Sequence, residues 1–157
     1  MRRSVMLNFL FQIVSAIRRG YWFILRPVTI GVKVISINSV GQVLLVKNRY
    51  DKYWYLPGGG VKRGEALLDC AKREMREEVG VEISKLKVLG VCSSFREYKS
   101  DHIILMRADI EGQRITKGLE IDQFAFFDFK VLPTDISPAT KRRLEEYQTG
   151  AFPSGQW

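Results

Sequence analysis

A chain of 157 residues, 46% hydrophobic and 27% charged, is long enough to bury one core and too apolar to stay disordered. Its net charge of +8 lies wholly in residues 1–50, which carry eight Lys/Arg and no acid; the seventeen basic and seventeen acidic residues beyond them cancel. Such asymmetry suits a phosphate-rich partner, an anionic membrane surface or a solvated basic face, but no recognisable RNA or DNA module accompanies it, so specific nucleic-acid binding is not expected.

Residues 4–17, SVMLNFLFQIVSAI, form an apolar run behind Arg2 and Arg3 that is too short to span a bilayer and is followed by arginines, not by a cleavage site. Asn8, Gln12, Ser15 and Arg19 recur at helical spacing and predict an amphipathic helix. It is expected to dock on its own sheet or across a homodimer, with membrane-surface contact as the second choice. Residues 1–26 are therefore set apart from a domain over 27–150 and a tail over 151–157.

From Pro27 the pattern turns strand-like. VTIGVKVISI (28–37) and QVLLVKNR (42–49) flank a hairpin signal at Asn38–Gly41. Residues 50–60 read as an aromatic and glycine-rich loop. A helix is predicted from about Glu65 to Val79, with Leu67, Leu68, Ala71, Met75 and Val79 as its apolar stripe and Gly80 as a left-handed cap. Strands follow at 86–95, 102–110 and 123–129, then a helix opened by Ser137 and Pro138. Hairpin-paired strands with two interposed helices predict one layered α+β domain. Cys70 and Cys92 lack paired metal or redox spacing and are expected as buried thiols in a reducing, cytoplasmic setting.

Glu74, Glu77 and Glu78 fall within one helical arc of about 100°, where like charges repel. Partly buried carboxylates need protonation or a cation, and carboxylate oxygens are the hard ligands that Mg²⁺ takes beside substrate phosphates. Gly58-Gly59-Gly60 allows close backbone approach to a ligand, and Arg73 can fork onto Glu65 to orient the cluster. A divalent-metal site beside a phosphate site is one outcome; a solvated acidic helix face is the other.

Gly59, Glu65, Arg73, Glu74, Met75, Glu77, Glu78, Gly80 and Val81 together resemble the Nudix box, G-x5-E-x7-R-E-U-x-E-E-x-G-U with U apolar, at every defined position. The leading Leu56-Pro57-Gly58-Gly59 and the strand after Glu120 are similar to the family's flanks, so the resemblance covers about residues 28–147. It implies a mixed sheet sandwiched between helices and hydrolysis of a nucleoside diphosphate linked to another moiety. ADP-ribose, a nucleotide sugar or an NTP-like compound would be the substrate. By the same resemblance Glu74 and Glu78 would ligate Mg²⁺ or Mn²⁺ with the Gly58 carbonyl, and Glu77 would bind a further ion. Gly59, Glu65 and Gly80 would be structural, with Arg73 fixing the loop against the catalytic helix. Glu120 is the candidate general base and Glu77 the fallback. Among substrate contacts, Tyr53, Trp54 and Phe95 are candidates to stack a base, and Arg49 and Arg96 to meet phosphates. His102 is expected to be structural. Two alternatives remain: a non-catalytic nucleotide-sensing module, and the isomerase branch of the fold, for whose catalytic cysteine neither Cys70 nor Cys92 is an obvious counterpart.

Overall fold

The computed structural model describes residues 20–21, 23–96, 98–111, 120–151 and 155–157. The predicted helix over 4–17 lies outside the described residues. In chain order come β1 (Val28–Ile37), β2 (Val43–Asn48), β3 (Trp54–Tyr55), α1 (Leu67–Val79), β4 (Glu82–Ser94), β5 (Ser100–Glu111), β6 (Ile121–Phe127) and α2 (Pro138–Thr149).

The sheet runs β3-β2-β1-β5-β4, with β6 also on β2. Among the described strands, β1 and β5 form the parallel ladder, from Val28↔Ser100 to Ile37↔Asp109, and the other ladders are antiparallel. The β1–β2 hairpin closes as expected, because Asn38 Oδ1 accepts the N–H groups of Val40 and Gln42 at 3.2 and 2.8 Å.

Strand alternation assigns the two faces. Val32, Val34, Ile104 and Met106 pack with Cys70, Ala71, Met75 and Val79 of α1. On the opposite face, Ile35 and Leu105 pack with Trp54, Leu56, Ile136 and Leu144 of α2. The result is the layered α+β domain that the pattern predicts, with the mixed sheet between helices that the resemblance implies.

Several details differ from that prediction. Helix α1 starts at Leu67 because Ala66 is extended (φ −75°, ψ 149°) and Glu65 turns back to accept the Lys62 N–H at 2.9 Å. Leu67 and Leu68 are exposed at 37% and 47%, while Cys70 joins the buried stripe. The loop over 50–60 contains the two-residue strand β3, too short to show a period. Residues 155–157 belong to the fold: Ser93 donates to the Gly155 carbonyl, and Trp157 donates to that of Ser93, both at 2.8 Å. The caps follow the sequence, with Gly80 at φ 67° and Ser137 accepting the Thr140 N–H.

Candidate active site

The stretch Leu56–Gly60 leaves β3 and lies against β1. Val32 donates to the Gly59 carbonyl at 2.9 Å, Val34 to that of Pro57 at 3.0 Å, and Val61 to that of Ile30 at 2.9 Å. Gly58 sits at φ +125°, and a Cβ there would stand 2.4 Å from the Val32 carbonyl oxygen. A Cβ on Gly59 would stand 2.7 Å from the Glu74 carboxylate. Gly58 is therefore demanded by its approach to backbone, whereas Gly59 makes room for the end of an acid side chain.

Helix α1 presents its acids to this turn. Arg73 forks onto Glu65 at 2.6 and 2.9 Å and reaches Glu74 at 2.6 Å, Glu77 at 3.0 Å and the Gly60 carbonyl at 3.1 Å. One guanidinium thus ties loop to helix and offsets the crowding of three carboxylates. These hydrogen bonds hold the Glu65 carboxyl down at about 2 and raise the Arg73 guanidinium. Glu78 accepts the Gly58 N–H at 2.8 Å. Burial raises its carboxyl above the ordinary value, against the pull of Lys33 and the Gly58 N–H, while the charges of Glu74 and Glu120 push it further. Glu120 thereby belongs to the electrostatic neighbourhood of the helix acids. Burial pushes the Cys70 thiol up to about 11, and its sulfur lies 3.5 Å from the Gly60 carbonyl.

Lys33 on β1 is the site residue that the sequence did not reveal. Its ammonium donates to the Gly58 carbonyl at 2.6 Å and to that of Leu56 at 2.9 Å. Burial lowers its pKa, against the attraction of Glu78, Glu74 and Asp101. A lysine between Val32 and Val34 in a strand was the available signal, since its alternate neighbours on that face are Gly31 and Ile35.

The oxygens of Glu74, Glu77, Glu78 and the Gly58 carbonyl are the hard donor set that suits Mg²⁺ or Mn²⁺. Among the described residues no three acids, thiols or imidazoles converge on one point, because Arg73 holds Glu74 and Glu77. The donors nevertheless fit such an ion: protein cations already stand against them, and the space beside Glu74 is kept clear by the missing Cβ of Gly59.

A cavity of about 610 Å³ opens beside this turn, lined by Thr29, Gly31, Lys33, Gly58–Gly60, Lys99 and Asp101 among others. A second, of about 250 Å³, is lined by Tyr53, Tyr55, Ser94, Arg96, Arg142 and Trp157 with the start of α2. Ser94 of the smaller pairs directly with Asp101 of the larger, so the two adjoin across the β4–β5 ladder.

Tyr53 and Arg96 therefore meet in one cavity. Trp54 does not: it is 8% exposed, its ring 5.1 Å from that of Phe127, and it belongs to the core instead of offering a stacking face. Phe95 and Arg49 are exposed and line neither of these cavities. The Arg49 N–H bonds the Glu120 carbonyl at 3.2 Å, which seats Glu120 at the end of β2. His102 Nδ1 lies 2.9 Å from Ser93 Oγ on the neighbouring strand.

The sheet order, the glycine turn and the carboxylate-bearing helix bring the residues of the G-x5-E-x7-R-E-U-x-E-E-x-G-U pattern together in one place. The NUDIX domain profile matches residues 27–147, and the chain belongs to the Nudix hydrolase family. It is 30% identical over 123 residues to a Bacillus subtilis (strain 168) protein with the provisional name 8-oxo-dGTP diphosphatase, covering 78% of this chain and 82% of that one. An RNA pyrophosphohydrolase from Hydrogenovibrio crunogenus is 36% identical over 67 residues, 43% of this chain and 41% of that relative. The chain thus spans less than half the length of the latter. The crystal structure of a UDP-X diphosphatase shares the fold, with TM-score 0.68 at 20% identity over 82% of this chain and 66% of that one.

Proposed function

We propose that this protein hydrolyses the pyrophosphate bond of a nucleoside diphosphate linked to another moiety, with Mg²⁺ or Mn²⁺ held by Glu74, Glu78 and the Gly58 carbonyl. The observation that supports this reading is the meeting of the α1 carboxylates Glu74 and Glu78 with the glycine turn, whose Gly58–Gly60 line the larger cavity. The matched relatives are named for different substrates, yet each name describes cleavage of a diphosphate link, which supports the reaction class over any one compound.

Such an ion, when bound, neutralises the diphosphate and lowers the pKa of a coordinated water. The chain's own groups supply the rest. Arg73 holds Glu74 and Glu77 in register with Glu65, so the donors are fixed before substrate arrives. Glu77, more than half exposed, faces a further ion or serves as the reserve base. Glu120 takes the proton of the attacking water. Tyr53 and Arg96 receive the distal moiety in the smaller cavity, the ring by stacking and the guanidinium by pairing with a phosphate. Arg49 and Phe95 attend the rim.

The test is a panel of nucleoside diphosphate sugars, ADP-ribose and nucleoside triphosphates with each metal, products resolved by chromatography. Glu78→Gln should lower turnover at least about 100-fold while the circular dichroism spectrum is kept, since even residues behind a metal ligand cost about 10–100-fold. Full wild-type turnover in excess chelator would overturn the metal mechanism. Nucleotide binding without phosphate release would instead identify a sensing module.

A further inference from the structure

Lys33 performs none of the steps above, yet its charge is poorly explained by architecture alone. Two backbone carbonyls can be satisfied by any neutral donor, and the same face of β1 carries Ile35 two residues on. A full positive charge in a partly buried strand needs negative charge nearby, and Glu78, Glu74 and Asp101 supply it. Gly58 connects the two sides: its N–H bonds Glu78 at 2.8 Å and its carbonyl accepts from Lys33 at 2.6 Å. That carbonyl is also one of the oxygens proposed to hold the metal.

We propose that Lys33 is a resident cation of the metal-free site, engaging the Gly58 carbonyl and balancing Glu78, while Arg73 holds Glu74, until a divalent ion takes over that task. Lys33 is thus a positioning residue. It keeps the turn and the acids assembled without metal, and it sets the affinity of the site by competing for it. The inference rests on the reading of Glu74, Glu78 and Gly58 as metal-holding groups. The rival account makes Lys33 a strap that merely holds the turn.

Titrating the full chain with Mn²⁺ alone, without substrate, separates these accounts. Free Mn²⁺ is followed by electron paramagnetic resonance, and melting is recorded with and without the metal. Lys33→Met removes the charge and the donor; Lys33→Gln removes the charge but keeps a donor for the carbonyls. Both should bind Mn²⁺ more tightly than wild type, by about tenfold, the scale of one fixed charge acting over several ångströms in a partly solvated cleft. Metal-free melting should fall and the Mn²⁺-induced rise in melting should grow; Lys33→Arg should stay near wild type in affinity. If Lys33→Met does not fold, Lys33→Gln carries the comparison. Variants that bind Mn²⁺ no tighter than wild type, with an unchanged metal-induced shift, would leave the strap account and overturn this one alone. A wild-type chain that binds no Mn²⁺ would overturn the metal reading and this inference with it.

Discussion

Gly58 and Gly59 are neighbours that should fail in different ways. An alanine at Gly58 meets backbone, the Val32 carbonyl at 2.4 Å, at a φ of +125° that L residues avoid. Neither partner can step aside, so Gly58→Ala is expected to cost about 2–3 kcal/mol or more of metal-free stability, read from urea unfolding. At Gly59 the obstacle is the far end of the Glu74 side chain, which can swing away. Gly59→Ala should therefore stay within about 1 kcal/mol of wild type in stability while losing Mn²⁺ affinity and turnover. Equal destabilisation by both substitutions would show that the second glycine serves the fold and not the donor set.

Helix α1 begins late because Glu65 is used as a latch, and the latch titrates. Its carboxyl ionises at about 2 in the folded chain against an ordinary 4.5, so the folded state favours the charged form. The resulting stabilisation is fully present above about pH 4.5 and is lost as pH falls towards 2. Stability measured against pH should show wild type above Glu65→Gln by a constant margin from neutral pH down to about 4.5, with the margin vanishing near 2. A margin that persists at pH 2 would mean that shape and not charge forms the latch. At the other helix, Ser137→Ala removes the acceptor for the Thr140 N–H and should cost about 1 kcal/mol by calorimetry. The spacing of acids, glycines and caps made these elements legible, because each is a short-range pattern fixed by helical geometry. It predicted crowded acids repelling one another, whereas Arg73 already holds two of them, so neutralising Glu74 breaks an ion pair as well as relieving repulsion. What periodicity could not reveal depends on partners distant in sequence. Lys33 and Trp54 look like surface or ligand residues until the sheet forms around them. Arg143 of α2 is 1% exposed, with one nitrogen 2.9 Å from Glu146 and another 2.8 Å from Cys92 Sγ, a partner that no spacing along the helix announces.

At the scale of the whole molecule, residues 155–157 and the β1–β5 ladder decide how the layers close. Strand β4 ends the main order of the sheet, and Gly155–Trp157 shields part of it while Trp157 packs against the α2-side core. Deleting residues 155–157 removes the two hydrogen bonds to Ser93, the Arg142 bond to the Gln156 carbonyl and that packing, so stability should drop by about 2–4 kcal/mol and the melting temperature by roughly 5–15 °C. Unchanged melting would make the contact ornamental. The parallel seam has a kinetic consequence. Thr29 of β1 and Asp101 of β5, 72 positions apart, bond across it, and the same seam floors the larger cavity. Hairpins and helix turns form within microseconds, but joining these strands requires closing a long loop whose entropy opposes every encounter. The cavity is therefore expected to form in the slow step of folding, together with the cooperative core. In stopped-flow refolding, Val34→Ala in the seam should slow the folding limb, whereas Leu144→Ala in α2 should chiefly speed unfolding. A nascent chain that has not yet made β5 carries every acid of α1 and still has no cleft in which to use them.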